Sequence, residues 1–222
     1  MSVIRPAGDT GEADPAVTAA LAAYAAGTAA EHAVLTAIAA SRFLVPVVAV
    51  LAEANDDGTE KETEMALPTL VGNDGRKAVI AFTGTDTVKR WRQDARPVPV
   101  PAAQLWPAVA AEQADAVVID VAGPVPLVIE GARLRALADG VPPPLPHEDP
   151  DIRTEVAAVA ADFTLEPGGP DADLTITLKA KDLTAARAAA EAIAARLAPR
   201  LRRGIEIRTS LSRTYAVDSR PP

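Results

Sequence analysis

The amino-acid sequence predicts an α+β protein of two domains, in which a mixed sheet flanked by helices precedes a small β-β-α-β domain. Residues 65–91 contain two apolar stretches joined by a glycine-rich turn, then a polar segment that can start a helix. Residues 141–150 contain five prolines, which is typical of an extended linker. Residues 174–181 alternate apolar and polar side chains, which indicates a strand with one buried face.

These patterns divide the chain into five segments. We expect a flexible tail over residues 1–13, an N-terminal domain over 14–140, a linker over 141–150, a C-terminal domain over 151–217 and a second tail over 218–222. The linker separates the two domains because closely spaced prolines favour an extended backbone.

The N-terminal domain begins with two short helices. Asp14 followed by Pro15 is a typical helix start, and a second helix follows Thr28. Residues 43–51 form an apolar run of strand length, although Pro46 favours a sheet edge. Residues 53–64 carry six acidic side chains and predict a solvated loop, with a binding loop as the alternative.

Further along this domain, residues 96–101 alternate prolines with other residues and predict an extended edge strand. Residues 102–113 favour a helix in which Pro107 predicts either a kink or a start near Trp106. A second hairpin is expected around the Ala-Gly-Pro turn at residues 122–124, followed by a helix over residues 131–139.

The C-terminal domain reads as strand, strand, helix, strand. The first strand is expected over residues 158–166, and the second is the alternating stretch at 174–181. Asp182 or Thr184 can cap the helix that follows, and alternation from Ile205 onward predicts the last strand.

Composition and charge exclude several functional classes. The net charge is −8, mostly from residues 1–64, and the sequence pI near 4.8 argues against a dedicated nucleic-acid-binding protein. Absence of cysteine excludes disulfides, thiolate metal sites and cysteine nucleophiles. No apolar run has the length of a signal peptide or a membrane span, so we expect an acidic, cytoplasmic, non-membrane protein.

Four segments together resemble a known family: FLVPVVA, MALPTLVGNDGRKAVIAFTGTD, RPVPVPA and DAVVIDVAGPVPLVIEG. They are similar to the N-terminal domain of the SseB family, named for enhanced serine sensitivity, over about residues 14–140. The resemblance implies a cytoplasmic protein. It brings no catalytic residue, cofactor or substrate that could be assigned to positions in this chain.

Thr83, Thr85 and Asp86 lie where a strand passes into a helix, and this junction is the first candidate site. Free N–H groups at a helix start favour an anion, so the junction could bind a phosphate or carboxylate group. The alternative is ordinary helix capping. Asp120 precedes a Gly-Pro turn at a strand end and could join this site, or it could cap its own turn.

Arg90 and Arg92 belong to a basic run around Trp91, which is the second candidate site. Such a run can bind an acidic partner, although a solvated helix face is the favoured explanation. We find no catalytic constellation, because neither His32 nor His147 has partners at metal-binding or triad spacing. No metal and no cofactor are expected.

We therefore expect a non-enzymatic protein-binding or regulatory module that uses the sheet edge or the Arg90 surface. The alternative is a sensor or enzyme for an amino-acid-like or phosphorylated small molecule bound at residues 83–86. A nucleic-acid-binding module is disfavoured by the acidic charge.

Overall fold

The computed structural model describes residues 9–47 and 69–211. The chain forms two compact units, one of residues 1–25 and 32–143, the other of residues 26–31 and 144–222. The predicted loop at 53–64, the tail at 218–222 and residues 1–8 lie outside the described residues. None of the described helices is long and apolar enough to span a membrane.

The first unit contains most of the described elements. In chain order they are α1 (Pro15–Ala25), α2 (Glu31–Ala39), β1 (Arg42–Val47), β2 (Thr69–Val71), β3 (Lys77–Ala81), α3 (Thr85–Trp91), β4 (Arg96–Pro101), α4 (Ala102–Ala111), β5 (Ala116–Ile119), β6 (Leu127–Glu130) and α5 (Gly131–Ala138).

A four-stranded mixed sheet of order β2-β3-β5-β6 organises this unit. The strand pairs β2–β3 and β5–β6 are antiparallel, which confirms both predicted hairpins, and β3 runs parallel to β5. Strands β1 and β4 form a separate antiparallel pair, joined to β3 by a bridge between Leu44 and Phe82. The predicted α+β class is confirmed.

The two faces of the four-stranded sheet are covered unequally. On the first face, Val79, Val117 and Ile129 share one core with side chains of α1, α2, α4 and α5. On the second face, Ile80 and Phe82 pack with Leu44 of β1 and with Val88 and Trp91 of α3. Among the described residues, this second face is therefore covered by one short helix and part of β1.

Prolines shape the two-stranded sheet and the helix after it. In β4 the three prolines occupy every second position, so their missing N–H groups lie on one edge, while the residues between them can pair with β1. Helix α4 spans Ala102–Ala111 despite Pro107, so it begins at Ala102 and not near Trp106. Pro107 has no N–H to donate to the carbonyl of Ala103. Both residues lie on the exposed side of the helix.

The second unit contains α6 (Pro150–Ala157), β7 (Phe163–Pro167), β8 (Leu174–Ala180), α7 (Leu183–Leu197) and β9 (Ile205–Leu211). Its sheet has the order β7-β8-β9, with β8 antiparallel to β7 and parallel to β9. Asp182 caps α7 by accepting from Ala185 N at 2.8 Å. The apolar strand residues pack against α6 and α7.

The predicted β-β-α-β succession is observed as β7, β8, α7 and β9, and helix α6, which the sequence analysis did not predict, precedes it. Asp149 caps this helix by accepting from Asp151 N at 2.8 Å, and Pro150 occupies its first turn. Ile152 and Val156, four residues apart, are buried. An Asp-Pro pair followed by apolar residues at helical spacing is a helix-start signal, but here the last residues of the predicted linker carry it.

Asp173 connects two loops of the second unit. Its Oδ2 accepts from Arg203 N at 3.0 Å, and its own N–H donates to Gly204 O at 2.9 Å. Arg203 also donates to Pro170 O, which lies in the loop between β7 and β8. Burial raises the pKa of the Asp173 carboxyl, and the N–H and charge of Arg203 only partly offset that effect.

We predict opposite outcomes for two substitutions of Asp173. Asp173→Asn keeps an acceptor for Arg203 and removes a buried charge, so at neutral pH its free energy of unfolding should equal or exceed that of wild type. Asp173→Ala leaves Arg203 N without this acceptor and should lose about 1–3 kcal/mol. Urea titration followed by circular dichroism measures both.

The pH dependence provides the control for this prediction. The folded-state pKa of Asp173 is raised, so wild-type stability relative to Asp173→Asn is highest below the unfolded pKa and falls as pH rises through the folded pKa. If the free energy of unfolding of wild type instead increased relative to that of Asp173→Asn as pH rises, burial of the ionised Asp173 carboxylate would not be destabilising.

Candidate functional site

Thr83 and Asp120 meet at the carboxyl edge of the parallel strand pair β3–β5. Parallel strands end at the same sheet edge, so the residues that follow Ala81 and Ile119 lie side by side. Asp120 accepts from Thr83 N at 2.9 Å and from Thr83 Oγ1 at 2.7 Å. Both residues are buried, with 6% of Thr83 and 3% of Asp120 exposed. This pair therefore joins two strand ends inside the fold.

The backbone around Asp120 forms a tight turn. Asp120 has a φ of +50°, its N–H donates to Ala81 O at 2.9 Å, and its carbonyl accepts from Gly123 N at 2.7 Å. A Cβ added to Gly123 would lie 2.8 Å from Asp120 Cβ, so only glycine fits there without a shift. Aspartate tolerates the left-handed conformation better than most residues, which suits it to this position.

The start of α3 is already occupied by the chain itself. Thr85 N donates to Gly11 O at 2.8 Å, and a Cβ on Gly84, the N-cap, would lie 2.9 Å from Ala13 N. The helix has only seven residues, so its dipole is small. Asp86 is exposed and forms no hydrogen bond or ion pair with any described residue. The junction thus brings Thr83 and Asp120 together, but not Asp86.

Residues 9–13 are held against this junction by Arg42 in β1. Arg42 donates to Thr83 O at 2.8 Å and to Glu12 O at 2.5 Å, and its Nε lies 2.7 Å from Asp9 Oδ2. Desolvation would raise the pKa of Asp9, but its bonds with Arg42 and Gly11 N outweigh this and hold the pKa below its ordinary value. The sequence predicts a flexible tail here, whereas residues 9–13 have defined partners.

The Asp9–Arg42 contact has no sequence signal that could reveal it. The two residues are 33 positions apart, and each alone is an ordinary charged side chain. Their pairing depends on where β1 and the segment before α1 meet in space. Only the glycine at position 11, with a φ of +79°, hints at a turn that brings this segment back toward the domain.

The basic residues of α3 differ in their surroundings. Trp91 packs against Phe82 with ring centroids 5.4 Å apart, which anchors the helix on the sheet. Arg92 Nε contacts Asp94 Oδ1 at 2.9 Å, so its charge is paired. Lys89 and Arg90 are exposed, and neither forms an ion pair within the described part of the chain. Arg90 therefore presents an unneutralised charge on an otherwise acidic protein.

Helix α3 leaves part of the second sheet face exposed. Leu70 in β2 is 40% exposed and Val128 in β6 is 47% exposed. Val118 lies between β3 and β6 on this face and is half-buried. We call Leu70, Val118 and Val128 the open face.

Nothing in the described residues assembles a catalytic or metal-binding group. Three or more potential metal-ligating side chains do not cluster anywhere in residues 9–47 and 69–211. The Thr83 hydroxyl donates a hydrogen bond to Asp120, but both side chains are buried and bonded to each other. Asp115 is used in the same structural way, since its Oδ2 accepts from Lys77 N at 2.8 Å.

A comparison with protein-family models matches residues 17–136 to a family described as SseB protein N-terminal domain. The matched stretch contains Thr83, Asp120, α3 and the open face. It begins after residues 9–13 and ends before residue 144, where the longer segment of the second unit starts. No curated protein and no solved structure matches the chain.

We predict that Asp120 contributes more to stability than its exposed counterpart Asp115. Asp120→Ala removes the acceptor of two buried hydrogen bonds and places alanine at positive φ, so it should lose about 2–4 kcal/mol. Asp120→Asn keeps an oxygen and tolerates this backbone, so the loss should be about 1 kcal/mol. Urea unfolding followed by tryptophan fluorescence reports on the first unit, which contains Trp91 and Trp106.

Asp115→Ala is the matched control, because it also removes a carboxylate that accepts from a backbone N–H beside the same sheet. An Asp120→Ala variant no less stable than Asp115→Ala would show that the buried pair with Thr83 does not hold the strand ends together.

Proposed function

Since this chain belongs to the SseB family, whose N-terminal-domain model matches residues 17–136, we propose that it is a non-enzymatic protein-binding or regulatory module. Its partner contacts the open face and the outer side of α3. The observation that carries this proposal is the exposure of Leu70 and Val128 on the second sheet face, beside a helix whose Lys89 and Arg90 form no ion pair with a described residue.

The open face has the character of a protein-binding surface. Leu70 and Val128 both lie on the second face, where the described residues that cover the sheet belong to α3 and β1. Apolar side chains that share one sheet face can be buried by a partner with a gain of about 25 cal/mol per Å². Such a gain favours association with an apolar partner surface.

The charges of α3 indicate which kind of partner surface would bind here. Lys89 and Arg90 project from the helix that borders the open face, and the rest of the protein is acidic. A partner with acidic groups beside apolar ones would match both features, because complementary charge increases association rates and disfavours wrong partners. Nucleic acid is the weaker candidate, since the net charge of −8 opposes its phosphates.

The polar groups of the predicted ligand site support a structural role. Thr83 and Asp120 satisfy each other, Thr85 N is paired with Gly11 O, and Arg92 is paired with Asp94. A small ligand at the start of α3 would have to displace residues 9–13. A cytoplasmic location stays a prediction from the sequence.

We predict that Arg90→Glu and Val128→Glu weaken partner binding while the fold is retained. Affinity capture from cell extract, quantified by mass spectrometry, should yield proteins that wild type retains and each variant loses. Reversing one rim charge should weaken binding about tenfold, which corresponds to about 1.4 kcal/mol. Circular dichroism verifies that the variants remain folded.

Matched controls come from exposed positions of the second unit. Arg187→Glu reverses a charge on α7, and Leu183→Glu replaces a leucine that is 70% exposed. Both should capture the same proteins as wild type. If the controls lose these proteins equally, or if no protein distinguishes Arg90→Glu from wild type, the open face and α3 are not the binding surface.

A second candidate function is a small-molecule sensor or enzyme for an amino-acid-like or phosphorylated ligand. The direct contact between Thr83 and Asp120 favours it, because these two predicted site residues do converge. A ligand at the start of α3 would require residues 9–13 to move away, since Thr85 N already donates its hydrogen bond to Gly11 O.

Thermal-shift screening separates the two functions. A ligand that binds the native state raises the melting temperature by mass action. At a free ligand concentration one hundred times the dissociation constant, the native state is stabilised by about 2.7 kcal/mol. Under the protein-binding proposal we expect no shift with amino acids, nucleotides or phosphorylated metabolites. A shift that Asp86→Ala abolishes and Arg187→Glu retains would favour the small-molecule function.

A further inference from the structure

Within residues 9–47 and 69–211, strand β9 pairs with another strand on one side only. It pairs with β8 along its whole length, from Leu174↔Ile205 to Ala180↔Leu211. No described strand pairs with its other side, and no backbone hydrogen bond joins residues 205–211 to a described residue outside the sheet. A row of outward N–H and C=O groups is a template for another strand.

Other edges in this protein carry features that block such pairing. Strand β4 has three prolines, and β2 has only three residues. In β6, Arg133 is buried and its Nη1 lies 3.4 Å from the Val128 carbonyl. Strand β7 ends in Pro167. Strand β9 has seven residues and no proline, so it is the edge best suited to accept a strand.

The side chains of β9 identify a complementary partner strand. Glu206 and Arg208 lie on one face, and Ile205 and Ile207 lie on the other, where they pack against the core formed with α6 and α7. Arg208 Nε contacts Glu206 Oε1 at 3.0 Å, and both side chains are exposed. Opposite charges two residues apart are self-complementary when the same strand pairs with itself in antiparallel orientation.

We propose that β9 pairs with β9 of a second copy of this chain, antiparallel and centred on Ile207. In this register Ile207 faces its own counterpart, and each Glu206 faces the Arg208 of the other copy. Directly opposed residues share a sheet face, so the apolar faces of both sheets continue into one another. The two three-stranded sheets become one six-stranded sheet with a two-fold axis.

Charge selects this register over its neighbours. A register centred on Arg208 places two arginines opposite each other, and one centred on Glu206 places two glutamates opposite each other. A register shifted by a single residue opposes the polar face of one sheet to the apolar face of the other. The seam between two edge strands is small beside a typical stable interface, so the dimer should dissociate on dilution.

The test uses the purified full chain and two single charge reversals, Glu206→Arg and Arg208→Glu. Each places like charges opposite each other twice in the dimer and should raise the dissociation constant at least about tenfold. Analytical ultracentrifugation over a range of concentrations measures the mass. An equimolar mixture of the two variants should regain the dimer, because every Arg of one then faces a Glu of the other.

The mixture excludes a purely intramolecular explanation. Each single variant also breaks the Glu206–Arg208 contact within its own strand, and mixing cannot repair that contact. Arg187→Glu, which breaks the exposed pair with Glu191 on α7, is the matched control and should dimerise like wild type. The proposal is overturned if wild type is monomeric at every concentration, if the mixture stays monomeric, or if both single variants dimerise unchanged.

Discussion

The first unit depends on a carboxylate that is enclosed between two strand ends. Asp120 accepts hydrogen bonds from the backbone N–H and the hydroxyl of Thr83, and these bonds join the ends of β3 and β5. Both residues are buried, so water would not replace a hydrogen bond that was lost. The helix α3 starts two residues after Thr83, and Arg42 holds residues 9–13 to Thr83 O. The position of α3, the one described helix that packs on the second sheet face, therefore follows from this buried pair.

That position has a consequence for function. Trp91 anchors α3 on Phe82, and Leu70 and Val128, on the two edge strands of the same sheet face, remain exposed. The first face shares its core with side chains of four helices, while the second face keeps exposed apolar side chains beside Lys89 and Arg90, which form no ion pair with a described residue. The proposed binding surface would therefore lie on the face opposite the larger core.

Strong local patterns predicted most elements of the fold. The hairpin at residues 72–75, the strand pair around Gly123 and the alternation of residues 174–180 follow from turn chemistry and strand periodicity. Helix α6 was missed because its cap and first turn lie in a proline-rich segment that resembles a linker. Pro107 suggested a broken helix, but its exposed position inside α4 lets the helix continue.

By itself the sequence determined the α+β class, the SseB family and the residue types at the strand-to-helix junction, because these depend on local order along the chain. Only the tertiary structure decided that Thr83 and Asp120 satisfy each other, that Gly11 occupies the start of α3, and that Arg92 pairs with Asp94 while Arg90 forms no ion pair with a described residue. These contacts join residues far apart in the chain. Their distances depend on strand order and packing, which no local pattern encodes.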